Sequence, residues 1–132
     1  LSGRKISGEQ DFPAVAKNLA QKYGLSVFLK AGHLNGDTLT DYFYNAEDGS
    51  MTLLSSRRVE TPNTHGTGCT LSSAFAAALA KEQKSITATI GQDLTNAAKS
   101  AKSYLEQAII SGADYEIGHG HGPVNHFWRL SK

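Results

Sequence analysis

The chain has 132 residues, a formal net charge of +1 and one cysteine. That length is one domain's worth and buries roughly two thirds of the surface the unfolded chain exposes. Interspersed acids and bases argue against a nucleic-acid or anionic-membrane face; one thiol excludes an intrachain disulfide, and the longest apolar run, Ala74 to Ala80, is too short to span a bilayer. With no signal-like N-terminus, the expected compartment is the reducing cytoplasm.

In chain order, Ser7 to Asp11 supplies polar helix-start residues and Pro13 suits a first turn. Phe12, Val15, Ala16, Leu19 and Tyr23 follow helical spacing and Gly24 is a stop, so a helix is expected from Asp11 to Tyr23. Leu25, Val27, Phe28 and Leu29 form a short apolar run, which reads as a strand buried on both faces of a sheet. Lys30 falls at its end. Ligands of open α/β sheets gather beyond the carboxyl ends of parallel strands, a place where Lys30 would meet a phosphate; the alternative is a solvated lysine at a strand terminus.

After the Gly36-Asp37 turn signal, Thr40 to Tyr44 and Met51 to Ser55 read as two strands of a hairpin around Asn45 to Gly49. Tyr42, Phe43 and Tyr44 are either ordinary sheet packing or a stacking surface. Arg57 and Arg58 are either solvated or within reach of a nucleotide. Val59-Glu60-Thr61 reads as a further short strand or strand end.

The most informative stretch is Asn63-Thr64-His65-Gly66-Thr67-Gly68-Cys69. Behind it Leu71, Ala74, Phe75, Ala78 and Leu79 recur at the spacing of one apolar helical stripe, so the two glycines sit at a helix N-terminus. The first turn of a helix leaves N–H groups without partners and carries about half a positive charge, which attracts anions. Gly66 and Gly68 let the backbone come close to a phosphate oxygen. Cys69 then lies at the mouth of an anion pocket, where the helix dipole favours thiolate, a base or nucleophile. The plainer reading is a tight turn followed by a small buried cysteine.

Ser85 is the expected cap of a second long helix whose apolar face is marked by Ile86, Ile90, Leu94, Ala97, Ala98, Ala101, Leu105, Ala108 and Ile109, ending at Gly112. Alternating helices and strands fit an α/β layer architecture with no repeat or linker dividing it. The tail from Gly118 is rich in glycine and histidine. His119, His121 and His126 lack the cysteines or paired helical histidines of the usual zinc frameworks, so the tail reads instead as a loop near the active site or docked on another subunit. With neither a Walker-type nor a dinucleotide glycine motif present, phosphate binding rests on the loop before Cys69.

That loop, Asn63 through Ser72, closely resembles the anion-hole motif of the hydroxymethylpyrimidine/phosphomethylpyrimidine kinases of thiamine biosynthesis, a branch of the ribokinase-like kinases. Lys30-Ala31-Gly32-His33-Leu34, with Asp41 beyond it, resembles the family's Lys-Gly-Gly-His segment, with Ala31 in place of the first glycine. Gly120-His121-Gly122-Pro123-Val124-Asn125-His126 resembles its Gly-Pro-Val-Asn-His tail, and Glu60 stands where the family usually has aspartate.

The resemblance implies an α/β fold in which residues 1–132 form one domain, the C-terminal part of a ribokinase-like three-layer αβα fold. It implies ATP and Mg²⁺ as cofactors, Lys30 and Thr67 as nucleotide-binding residues, and Gly66, Gly68 and Cys69 as catalytic residues, the N–H groups meeting the transferred phosphoryl and the thiolate serving as base. It also implies a small-molecule substrate, hydroxymethylpyrimidine or its phosphate, and a homodimer. Much of the pyrimidine pocket and the Mg²⁺-binding acids then belong to an N-terminal half, and little activity is expected of this chain alone. The competing expectations are a cysteine-type pyridoxal kinase and a non-catalytic nucleotide-binding half-domain.

Overall fold

The computed structural model describes residues 2–3, 6–32, 34–82 and 89–130. One 3-10 turn, Glu9–Asp11, leads into α1, Phe12–Tyr23. Pro13 sits in the first turn as expected, whereas the polar start supplies no side-chain cap: the Asp11 carboxylate accepts the Ser7 N–H at 2.7 Å instead. Gly24 ends the helix in the left-handed region at φ 65°. The N–H of Leu25 also turns back, 3.3 Å from the Ala20 carbonyl. Leu25 is thereby spent on the helix end, so β1 is only Val27–Leu29 and Leu25 is exposed.

β1 pairs with β2 (Thr38–Tyr44), and β2 with β3 (Met51–Arg57), in the order β1-β2-β3. Both pairings are antiparallel, with Val27 opposite Tyr44 and Thr38 opposite Arg57. The expected hairpin is therefore present. The expectation of a parallel sheet with β1 buried on both faces is not met: β1 is an edge of the described sheet, and its three residues are half-buried. Its apolar character on both faces is that of a strand with neighbours, and among the described residues it has one, β2. Nor is Val59-Glu60-Thr61 a strand. β2 begins at Thr38, opposite Arg57, so nothing remains for those residues to pair with.

The alternation of side chains across the sheet separates two apolar clusters. Tyr42 meets Phe12 of α1 edge to face at 5.5 Å, together with Ala31 and Leu29. Phe43 points the other way, 5.8 Å from Phe28 and 5.7 Å from Phe75. With Tyr42 and Phe43 buried, the aromatic run is sheet packing rather than an open stacking surface.

On the Phe43 side lie α2, Thr67–Glu82, and α3, Ile90–Ser111. Leu71, Ala101 and Leu105 form the second buried cluster, with Phe28 and Phe75 packed against it. Helix, sheet and paired helices make the three layers expected of an α/β fold of the ribokinase-like kind.

The described α3 is capped by Thr89 in a reciprocal capping box with Gln92; Ser85 and Ile86 lie outside the described residues. Gly112 follows its last turn as expected, whereas Ile90 is exposed rather than on the buried stripe. Asn45, fully buried, ties the hairpin turn to the start of α3, donating to the Gly91 carbonyl at 2.8 Å and the Thr95 hydroxyl at 3.2 Å.

Candidate active site

The loop before α2 is held from below by one side chain. Asn63 is buried, and its Nδ2 donates to the carbonyls of Gly112 at 2.9 Å, Ala113 at 3.1 Å and Tyr115 at 2.8 Å. Thr61 adds a bond to the Ala113 carbonyl at 2.8 Å. The loop is thus fixed to the far end of α3.

The glycine-rich tail closes over the same point. His65 donates its N–H to the Gly122 carbonyl at 3.1 Å and forms a single parallel bridge with Pro123. A Cβ on Gly122 would lie 2.0 Å from Asn63 Oδ1, so that position requires glycine for close approach. Asn125 completes the anchorage, receiving no slack at either end: its N–H bonds Ala108 and its side chain donates to Ser111 at 2.9 Å. The tail thus lies against the loop before α2.

Beyond Asn63 the chain turns through Gly66 at φ +82°, a value that disfavours any side chain. The Thr70 N–H then bonds the Gly66 carbonyl at 2.8 Å, reinforced by the Thr70 hydroxyl at 2.8 Å. Gly68 and Cys69 precede that bond, so their N–H groups have no acceptor within the helix. Nothing lies within 4 Å of where a Cβ on Gly68 would stand, which leaves the backbone open to a ligand. Cys69 is exposed in this first turn, not buried in a core.

Lys30 reaches the same helix end from β1, its Nζ 3.4 Å from the Thr67 hydroxyl. The two residues expected to bind nucleotide are therefore neighbours, although 37 positions apart in sequence. They line a cavity of about 310 Å³ together with Asp41, Thr64, Val59 and Lys102. Lys30 is exposed as a residue, yet the protein around its ammonium removes enough water to lower its pKa; Asp41 opposes that shift and Lys102 adds to it.

Asp41 is buried, with one oxygen accepting the Ala31 N–H at 2.7 Å and the other paired to Lys102 Nζ at 2.7 Å. Ala31 is buried; His33 lies outside the described residues. Arg58 is half-buried, and its guanidinium donates to the carbonyls of Leu34 and Gly36. Arg57 is exposed at the cavity rim.

Cys69 faces a different space. With Gly66, Ser73, Tyr104, His126 and Arg129 it lines a groove of about 680 Å³ between α2 and α3. The loop from Gly66 to Cys69 thus divides a lysine-bearing cavity from the side on which the thiol opens.

Residues 1–125 match the phosphomethylpyrimidine kinase family. The chain belongs to that family. It is 40% identical over its whole length to a hydroxymethylpyrimidine/phosphomethylpyrimidine kinase of Rhizobium meliloti, and 37% identical to the Haemophilus influenzae protein of the same name. It spans 46% and 45% of the lengths of these two relatives. The thiamine biosynthetic bifunctional enzyme TH1 of Arabidopsis thaliana is 36% identical over the whole chain, which covers 24% of it.

As a phosphomethylpyrimidine kinase family member, the chain brings Lys30, Gly66, Thr67, Gly68 and Cys69 to one end of α2. Sequence reasoning missed Lys102 and the anchoring work of Asn63. Lys102 had a faint signal: it follows Ala98 by four positions and precedes Leu105 by three, which sets it beside the buried stripe of α3. Among the described residues no three potential metal-ligating side chains come together and no helix is long and apolar enough to cross a membrane.

Proposed function

We propose that the protein containing this chain transfers the γ-phosphoryl group of ATP to the hydroxymethyl group of 4-amino-5-hydroxymethyl-2-methylpyrimidine, and then phosphorylates that monophosphate, in thiamine biosynthesis. The reading places it in the cytoplasm, as a homodimer, with this chain as one unit forming the C-terminal half of the kinase domain. The observation that carries it is the exposed Cys69 in the first turn of α2, beside the open N–H groups at Gly68 and Cys69 and the Lys30–Thr67 pair.

Phosphoryl transfer needs positioning and donors aimed at the transferring oxygens more than it needs covalent help. The N–H groups of Gly68 and Cys69 supply those donors, the Thr67 N–H being turned to the Thr64 carbonyl, with the Lys30 ammonium and the Thr67 hydroxyl on the nucleotide side. The Cys69 thiolate accepts the proton of the attacking substrate hydroxyl. Mg²⁺ would serve to neutralise phosphate charge; among the described residues no three metal-ligating side chains come together to hold it, and Asp41 is already engaged by Lys102 and Ala31. The ion's ligands therefore fall to the rest of the protein, and with them most of the pyrimidine pocket. Little or no turnover is expected from the 132-residue chain alone.

The deciding experiment offers ATP with hydroxymethylpyrimidine, its monophosphate or pyridoxal to the full-length protein. Transfer to both pyrimidines supports the reading. Preference for pyridoxal makes the protein a pyridoxal kinase, and nucleotide binding without transfer makes it a binding module.

A second expectation concerns pH. An anionic phosphate beside Lys30 favours the ammonium form, whose pKa burial has lowered in the free protein. Nucleotide affinity should be full below that pKa and decline as pH rises through it, and Lys30→Arg should move the decline to higher pH. Identical affinity–pH curves for the two proteins would remove Lys30 from the phosphate site.

A further inference from the structure

Two lysines and one buried carboxylate share the cavity beside the end of β1. The carboxylate, on Asp41, is almost completely enclosed, and such a group needs a cation to offset the loss of water. Lys102 meets that need at 2.7 Å, with its own side chain 13% exposed. Lys30 is the more exposed of the two and donates instead to Thr67 at 3.4 Å. Asp41 is nevertheless close enough to Lys30 to act on its charge.

The division of labour matters because Asp41 is anchored. Its other oxygen holds the Ala31 N–H, one residue from Lys30, so the carboxylate cannot move away from the segment that carries the lysine. Of the other cations lining the cavity, Arg58 is engaged by the Leu34 and Gly36 carbonyls and Arg57 is exposed, so with Lys102 lost it is Lys30, the neighbour of Ala31, that is left to satisfy Asp41. Its ammonium would then be drawn from the α2 N-terminus into an internal pair.

We propose that Lys102 is a positioning residue for phosphoryl transfer: by occupying Asp41 it leaves the Lys30 ammonium free to face Thr67 and the phosphates of the nucleotide. The inference rests on the kinase reading only for the identity of the phosphate ligand. Its geometric content concerns which lysine the carboxylate holds.

The test uses the full-length protein in two measurements. In a crystal structure of Lys102→Met without nucleotide, Lys30 should have left Thr67 and paired with Asp41; Lys30 still at Thr67 would overturn the proposal. By calorimetry with a non-hydrolysable ATP analogue, Lys102→Met should bind about tenfold more weakly, roughly 1.4 kcal/mol. The double variant Asp41→Asn/Lys102→Met should regain near wild-type affinity, since the carboxylate trap is gone.

A double variant as weak as Lys102→Met would mean that Lys102 contacts the ligand itself or merely supports the fold, and would overturn the proposal. So would unchanged affinity in Lys102→Met. Should that variant fail to fold, Asp41→Asn alone reads the same idea: affinity at least equal to wild type is expected, and a tenfold loss would refute it. Failure of the wild-type protein to bind the analogue would refute the kinase reading instead, and the crystal measurement would still decide where Lys30 goes.

Discussion

Replacing Cys69 by alanine in the full-length enzyme is expected to lower turnover by about 10²- to 10⁴-fold, the range for a lost general base, while nucleotide affinity stays close to wild type. The separation follows from the two spaces on either side of the loop. Cys69 lines the groove between α2 and α3, whereas Lys30, Thr67 and Lys102 line the other cavity. Alanine keeps the backbone N–H at position 69, so the donor that would face the phosphoryl group survives. Single-turnover rates beside ATP-analogue affinities read the two effects apart. Unchanged turnover would dismiss the thiolate as base, and a matching fall in affinity would transfer Cys69 to the nucleotide side.

Local signals carried most of what was legible beforehand. Gly24 ends α1, the Asn45 to Gly49 turn joins two strands, and the alanine-rich stripe behind Gly68 is a helix, because each depends on residues close in sequence. What went unread depends on partners far away. The apolar run before Lys30 gives no direction for its neighbour, and the one it finds in this chain, β2, runs antiparallel. Leu25 belongs to the apolar run by hydrophobicity, yet its N–H bond to Ala20 is a property of the helix end.

The site divides in the same way. Glycine spacing and a cysteine at a helix start are local features, so Gly66, Gly68 and Cys69 stand out in sequence as a group. Lys102 does not, since its meaning comes from Asp41, 61 residues earlier. Asn63 reads in sequence as one more polar loop residue. Its three carbonyl acceptors appear only once the end of α3 is folded beneath it.

Asn63→Ala is accordingly the substitution expected to destabilise the protein most among the loop residues, by about 1 to 3 kcal/mol, since it removes a buried donor that three carbonyls share and leaves a void beneath the loop. Asn63→Asp should be at least as damaging: it keeps the shape but turns an oxygen toward three other oxygens. The close approach at Gly122 supplies an internal control. In Gly122→Ala the new methyl collides with Asn63 Oδ1 and one of the two must shift, whereas in an Asn63→Ala background that oxygen is gone. The double variant should therefore lose less stability than the sum of the two single losses, a coupling of the kind seen between residues in contact. Denaturant unfolding of the four full-length proteins measures it. Strict additivity would show that Asn63 and Gly122 do not meet, and that the tail is not what holds the Gly66 to Cys69 turn in place.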